Sequence, residues 1–282
     1  MMITALLLLA AAGATSDAVA AQEADGADRA ATYSISDPVP AGAMREFTPD
    51  RPSVTESPYT VDAGHVQIEL SAAEYAIARD RSRTLDVLPV NLKLGLLDNV
   101  DVELLFTPYQ RVFDGGSISS GFGDETLMRL KINLQGNDGE GTAFAIMPYV
   151  KFPTGTGGLS NHHVEGGLIV PMEAELPGDF TFNAMVEADL VYHDARSAYG
   201  TDLVHSASVG HSIAGPVSGY VEYVGVAPFG APHGRENHYQ AIGSAGLAVE
   251  VRDNLILDAG SRVGFSGNSD RAALFVGAST RF

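Results

Sequence analysis

The chain has 282 residues, 45% of them hydrophobic, and a mean hydropathy of +0.06. No apolar run beyond the N-terminus reaches the ~18–20 residues that a transmembrane helix needs, which excludes a helical membrane protein. The net charge of −18 argues against nucleic-acid binding, because such proteins need a basic surface. The absence of cysteine excludes disulfides and thiolate metal sites.

The N-terminus reads as a secretory signal peptide over residues 1–21. An apolar run from Ile3 to Ala12 is too short to span a bilayer, and Ala18-Val19-Ala20 is a typical cleavage signal. No Lys or Arg precedes the run, which departs from the usual pattern. Residues 22–58 are rich in Ala, Asp and Pro without a sustained period, and predict an extended periplasmic N-terminal segment. Whether this segment enters a lumen stays open.

About twelve segments after Val61 alternate between apolar and polar residues and are separated by turn signals. In the clearest, Val186 and Leu190 alternate with Glu187 and Asp189. Alternation with one apolar face predicts an all-β fold: a transmembrane antiparallel up-and-down barrel of about 12 strands, of outer-membrane type, over residues 59–282. A bulge near Ala72 is needed to keep the following apolar residues outward.

The connections between these segments support a bacterial barrel. Those that fall on the periplasmic side are short, and most of those on the other side are longer and more polar, including a predicted loop over residues 114–123. Aromatic residues next to the turns predict girdles at the two membrane interfaces. Their members are Phe144, Phe180, Tyr220 and Phe282 on the periplasmic side, and Tyr75, Tyr109, Tyr149, Phe152, Tyr192, Phe229, Tyr239 and Phe265 on the extracellular side.

Four stretches carry a family resemblance: residues 50–60 with 64–69, residues 121–126, residues 147–155 and residues 220–225. With them the chain resembles the MetA-pathway of phenol degradation family of transporter-like outer-membrane proteins. The resemblance implies a passive uptake channel, linked in some members to aromatic compounds. It brings no catalytic residues to this sequence.

Thirteen charged residues fall on the polar face of the predicted strands and are the candidate lumen-lining residues. A Lys or Arg on the lipid face at mid-membrane would cost ~2–4 kcal/mol, which favours the inside. Either the charges fill the interior as a salt-bridge network, or they flank a narrow water path whose acidic excess favours cations or neutral solutes. They are Glu69, Lys93, Asp101, Glu103, Arg129, Lys131, Lys151, Glu165, Glu187, Asp189, Glu222, Asp258 and Arg262.

No catalytic, cofactor or metal site is predicted, and the protein is not expected to be an enzyme. The histidines are scattered, and no acidic residue sits at ligand spacing. A lipid-acting barrel enzyme would need a Ser/His pair, for which Ser206 and Ser208 near His205 and His211 are the candidates. Ser206 and His205 alternate faces, however, and no nucleophile motif surrounds them.

The sequence therefore predicts an exported protein of a Gram-negative outer membrane that lets small solutes pass passively, with aromatic or hydrophobic compounds as candidates. A closed structural barrel is the alternative. The expected partners are outer-membrane lipid and lipopolysaccharide, the small solute, and the barrel-assembly machinery. The assembly machinery would recognise the last strand, which alternates and ends at Phe282.

Overall fold

The computed structural model describes residues 33–139, 141–193, 197–229, 239–267 and 269–282. The predicted signal peptide and residues 22–32 of the predicted N-terminal segment lie outside these ranges. Within the described residues, no helix is long and apolar enough to cross a bilayer. A single turn of 3-10 helix spans Ala41–Ala43.

Fifteen strands account for most of the described chain. They are β1 (Val66–Ile77), β2 (Arg83–Val87), β3 (Val90–Leu97), β4 (Val100–Phe106), β5 (Tyr109–Asp114), β6 (Ser117–Gly121), β7 (Glu125–Gln135), β8 (Thr142–Pro153), β9 (Glu165–Leu176), β10 (Phe180–His193), β11 (Ala198–Ala214), β12 (Val217–Phe229), β13 (Gln240–Arg252), β14 (Leu255–Gly264) and β15 (Ala272–Arg281).

The strands form one antiparallel sheet that closes on itself. From β7 to β15 each strand pairs with the next in chain order, and β15 pairs with β1. Three barrel strands are broken into two segments each, because β2 continues β3, β5 continues β4 and β6 continues β7. The fold is therefore a closed barrel of twelve strands, which confirms the predicted fold class.

Two of the breaks contain proline, which has no N–H to donate to a ladder. Pro89 follows Leu88, whose φ is +55°, and Pro108 separates β4 from β5. The predicted loop over residues 114–123 is wrong, because β5 and β6 form a hairpin there. Gly115 and Gly116 both have positive φ in its turn, which allows a tight connection where a long loop was expected.

Side chains alternate between the inside and the outside of the barrel. The outer face is apolar, with Val186 59% and Leu274 63% exposed, while Glu103 and Lys131 on the inner face are fully buried. The bulge expected near Ala72 is confirmed, since the register of β1 against β15 shifts between Ser71 and Ala73. An outer face of this kind requires lipid rather than water around it.

We expect Val186→Arg, in the middle of β10, to lower the free energy of unfolding by about 2–4 kcal/mol, because it places a charge at mid-membrane depth. Leu176→Arg at the end of β9 is the control, and should cost about 0–1 kcal/mol near the interface. Urea titration of the protein in liposomes measures both. Equal costs would contradict the predicted depth of the two positions.

Candidate functional site

Residues 45–63, here called the tongue, form a loop that lies inside the barrel. Both of its ends lie at the end of the barrel where the short turns are, and Arg45 Nε is 2.8 Å from Asp62 Oδ1. The returning arm passes so close to β3 that a Cβ on Gly95 would lie 2.1 Å from the Asp62 carbonyl oxygen. Only glycine fits at this position, which ties β3 to the base of the tongue.

The entering arm is anchored by Asp50. Its carboxylate accepts hydrogen bonds from Lys131 Nζ at 2.9 and 3.0 Å and from Lys93 Nζ, and it also accepts the amide of Ser57 at 2.9 Å. Two wall carboxylates share these lysines, because Glu69 lies 2.5 Å from Lys93 and Glu103 lies 3.3 Å from Lys131. Asp50 is thus the third acid of a buried charge cluster whose other members belong to the wall.

The tip of the tongue crosses the barrel to the opposite wall. The carboxylate of Glu222 on β12 accepts the amide of Val54 at 3.0 Å, and the amide and hydroxyl of Thr55 at 2.7 Å each. The Thr55 hydroxyl also lies 2.7 Å from that of Ser206 on β11. One wall carboxylate therefore holds the tip through three donors.

The returning arm follows a different set of strands. Glu56 pairs with Arg129 on β7 at 2.5 Å, and the Tyr59 hydroxyl donates to Glu173 on β9 at 2.8 Å. The amide of Val61 donates to Asp101 on β4 at 2.9 Å. The tongue is held on several sides of the lumen by hydrogen bonds and ion pairs.

A ring of buried inner residues encircles the barrel at the level of the tongue. Every barrel strand contributes one member, and all are at most 6% exposed apart from Gly277, which is also buried. The members of this inner ring, in barrel order, are Glu69, Lys93, Glu103, Lys131, Met147, Ile169, Met185, Ser206, Glu222, Ser244, Asp258 and Gly277. The tongue and the ring together close the lumen at this level.

Cavities lie on both sides of this closure. One, of about 640 Å³, opens towards the short turns and is lined by Glu46, Glu173, Asp179 and Arg281. A second one of about 240 Å³ lies on the far side of the tongue. Asp50 and Arg51 line this second cavity. They also line a third cavity, of about 250 Å³, on the side of the short turns. The tongue is therefore a partition with cavities on both of its sides rather than a filling of the whole barrel.

None of the thirteen predicted residues is solvent-exposed, and they divide by height in the barrel. Six belong to the inner ring: Glu69, Lys93, Glu103, Lys131, Glu222 and Asp258. Asp101 lies on the side of the short turns, where it accepts Val61. Six lie on the far side of the ring: Arg129, Lys151, Glu165, Glu187, Asp189 and Arg262.

The residues on the far side pair mostly with one another or with their neighbours on the wall. Lys151 lies 2.7 Å from Glu165 and 3.2 Å from Asp124, whose other contacts are the amides of Gly155 and Asn161. Asp189 accepts the Tyr149 hydroxyl at 2.5 Å. Most charges of the far side are thus paired along the wall, whereas Lys93, Lys131, Glu222 and Asp258 of the ring also contact the tongue.

Two tyrosines were predicted on the wrong face of the barrel. Tyr149 and Tyr220 were expected in the aromatic girdles, but both face inward, and the Tyr220 hydroxyl donates to the carbonyl of Pro52 in the tongue at 3.1 Å. The pattern itself pointed inside, since Pro148 and Val150 on either side of Tyr149 face outward. The aromatic residue type outweighed the alternation in that prediction.

The serine–histidine pair of a lipid-acting enzyme does not form. Ser206 points inward to Thr55, whereas His205 is exposed on the outer face and lies 2.9 Å from the Tyr239 hydroxyl. The ring of His211 packs on Phe180, 4.3 Å between centroids. Adjacent residues of one strand face opposite sides, so neither histidine can take a proton from Ser206.

The comparisons with known proteins agree with this geometry. The model of the family described as Putative MetA-pathway of phenol degradation matches residues 49–282, more than four fifths of the chain. The chain belongs to this family. The match begins within the tongue and includes its residues 49–63 as well as the barrel. No curated protein matches the sequence.

Solved structures with the same fold are distant in sequence. An outer-membrane channel from Pseudomonas putida F1 superposes with a TM-score of 0.53 at 13% identity, over 77% of this chain and 94% of that one. The NanC porin superposes with a TM-score of 0.52 at 8% identity, over 76% of this chain and 98% of that one. This chain therefore has the fold of outer-membrane barrels.

We expect Asp50→Asn to release the tongue without unfolding the barrel, because Glu69 and Glu103 still neutralise the two lysines. Hydrogen bonds to charged groups contribute about 1.5–3 kcal/mol each. In a Ser57→Cys background, labelling by a water-soluble maleimide should become about tenfold faster or more. Asp80→Asn in an exposed turn is the control, and an unchanged rate in Asp50→Asn would contradict the role of the anchor.

Proposed function

We propose that the protein is an outer-membrane channel for the passive passage of small solutes, and that the tongue controls its lumen. The observation that carries this proposal is the partition itself: a polar loop separates two cavities inside a closed barrel. The fold shared with an outer-membrane channel and a porin supports it. Export through the predicted signal peptide would deliver the chain to a Gram-negative outer membrane.

The chemistry of the partition favours a movable element over a permanent core. Its wall contacts are hydrogen bonds and ion pairs such as those to Glu222 and Arg129. Water entering the lumen can replace such contacts, because the net contribution of a hydrogen bond is only about 0.5–1.5 kcal/mol. A permanent filling would bury apolar surface instead, which water does not replace.

When the tip of the tongue moves aside, the exposed wall would carry more acidic than basic side chains. The thirteen lumen residues comprise eight carboxylates and five cationic side chains. The carboxylate of Glu222 loses its tongue partners when the tip moves, and its charge then faces the water path. The open channel would accordingly prefer cations and neutral solutes to anions.

Small aromatic or hydrophobic compounds are the solutes that the family description suggests. The far-side cavity has a suitable mixed lining, with Leu105, Leu127 and Pro89 beside the polar Asn91 and Arg129. Apolar walls with a few polar groups are typical of sites for small organic ligands. The cavity lies directly against the tongue, where a bound solute would meet the partition.

A closed structural barrel is the second candidate, and the continuous inner ring is the observation that favours it. The two functions differ in what happens when the tip is weakened. A gated channel opens to stable current steps, whereas a structural barrel filled by its wall charges stays silent.

Single-channel conductance in planar bilayers tests the proposal. In the test variant, residues 52–58 are replaced by seven Gly and Ser residues, which removes the tip contacts but keeps Asp50 and Arg51. We expect brief or absent steps from the full chain, and stable cation-preferring steps from the variant. The matched control replaces residues 33–38 with Gly and Ser upstream of the tongue, and should behave as the full chain does.

Silence in both the full chain and the tip variant, with folding verified on gels, would reject the channel and leave the structural barrel. Adding Glu222→Gln to a conducting variant should reduce its cation-to-anion permeability ratio. An unchanged ratio would contradict the acid-lined path. Block of the current by added phenolic compounds, and not by sugars of similar size, would support the proposed solute class.

A further inference from the structure

The barrel closes where β1 meets β15, and this seam differs from the other strand pairs. Its two strands are the first and last of the barrel, so no turn connects them and only their pairing holds them together. The ladder is also interrupted in its middle, because the register shifts between Ser71 and Ala73, whereas the shifts in other pairs, such as that between Gly95 and Leu97, lie beside a turn. A bulge leaves a residue without a partner across the pair.

Arg51 of the tongue lies across this irregularity. Its Nη1 donates to the hydroxyl of Ser71 on β1 at 2.6 Å, and its Nε and Nη2 donate to the carboxylate of Asp258 on β14 at 3.1 and 2.6 Å. Ser71 and Asp258 are the two register partners of Gly277 on β15. One guanidinium therefore joins the strands on both sides of β15, directly over the seam.

Gly277 makes room for this contact. A Cβ at this position would lie 2.3 Å from Arg51 Nη2 and 2.3 Å from the carbonyl oxygen of Leu70. The Arg51 side chain also lies over the ring of Phe275, 5.8 Å from its centroid. The inner surface of β15 is thus shaped to seat the arginine.

A second bridge repeats the arrangement higher in the barrel, within the wall. Arg262 on β14 pairs with Glu74 on β1 at 2.6 Å, across β15 and over Phe275. Near the chain ends, Arg281 of β15 lies 3.3 Å from Asp62 in the tongue and donates to the Arg45 carbonyl at 2.8 Å. Two of the three arginine contacts at the seam therefore belong to the tongue.

We propose that the tongue has a second role as the latch of the barrel: Arg51, seated over Gly277, holds the β1–β15 seam closed. The bidentate geometry matters, because the planar guanidinium donates two hydrogen bonds to the Asp258 carboxylate and a third to Ser71, whereas a lysine ammonium lacks the planar fork that makes the bidentate contact. This role does not rest on the proposed channel function, since it concerns the stability of the closed wall rather than passage through it.

Heat modifiability on SDS gels tests the latch. A closed barrel migrates faster than the unfolded chain, and the measured quantity is the temperature at which the barrel opens and the fast band is lost. We expect Arg51→Ala in the full chain to lower that temperature by roughly 5 °C or more, with Arg51→Lys intermediate. Gly277→Ala should act in the same direction by displacing the arginine. The matched control is Glu56→Gln, which breaks an ion pair of similar length from the tongue to β7, away from the seam.

A covalent cross-link between β1 and β15 distinguishes the loss of a latch from a general loss of stability. Leu70 and Ala278 are register partners on the outer face of the seam, and the chain contains no cysteine of its own. Leu70→Cys with Ala278→Cys, joined by a short bifunctional thiol reagent, should raise the opening temperature of Arg51→Ala much more than that of the parent chain or of Glu56→Gln. Such non-additivity is the signature of two changes acting on one contact.

Equal opening temperatures for Arg51→Ala and Glu56→Gln, or equal gains from the cross-link in all backgrounds, would overturn the proposal. If Arg51→Ala does not fold, the comparison of Arg51→Lys with Glu56→Gln decides it in the same way. Conductance is read separately on the same proteins. A silent barrel with a working latch rejects only the channel, and a conducting barrel whose seam ignores Arg51 rejects only the latch.

Discussion

Charged side chains that face the inside of a closed barrel must be satisfied there, because the other side of the wall belongs to lipid. The contact between Asp50 and the lysines Lys93 and Lys131 meets this constraint. Buried charges are costly unless they are paired and hydrogen-bonded. The wall and the tongue therefore form one unit joined by ion pairs and hydrogen bonds, and the path of the tongue follows from where the wall places its acids and bases.

The alternation of residues predicted the barrel and its polar face because a strand has a period of two that no tertiary contact can change. Once Val186 faces lipid, Glu187 must face inward, and the same reasoning holds along every strand. Where residue type was preferred to the period, the prediction failed. Tyr149 and Tyr220 were assigned outward by residue type, and the hairpin at Gly115 was predicted as one of the longer polar loops.

The tongue could not be located from the sequence for a physical reason. Residues 45–63 have no period, so they carry no sign of which face is buried. Their partners are distant along the chain: Arg51 and Asp258 are 207 residues apart, and Thr55 and Glu222 are 167 apart. Such contacts depend on the closed barrel, which brings the strands together. The family stretch at residues 50–60 marked the segment as important without indicating where it lies.

The two proposed roles of the tongue require different parts of it to move and to stay. The latch uses Arg51, which lies over the seam. The ion pair of Arg45 with Asp62 holds the two ends of the tongue together at its base. The gate uses the tip, held by Glu222 through backbone amides that water can replace. A loop fixed at both ends and released only at its tip can open the lumen while the wall remains closed. A plug that left the barrel completely would lose the contact of Arg51 with the seam each time the channel opened. The position of Arg51 therefore favours movement of the tip alone, and not withdrawal of the whole tongue.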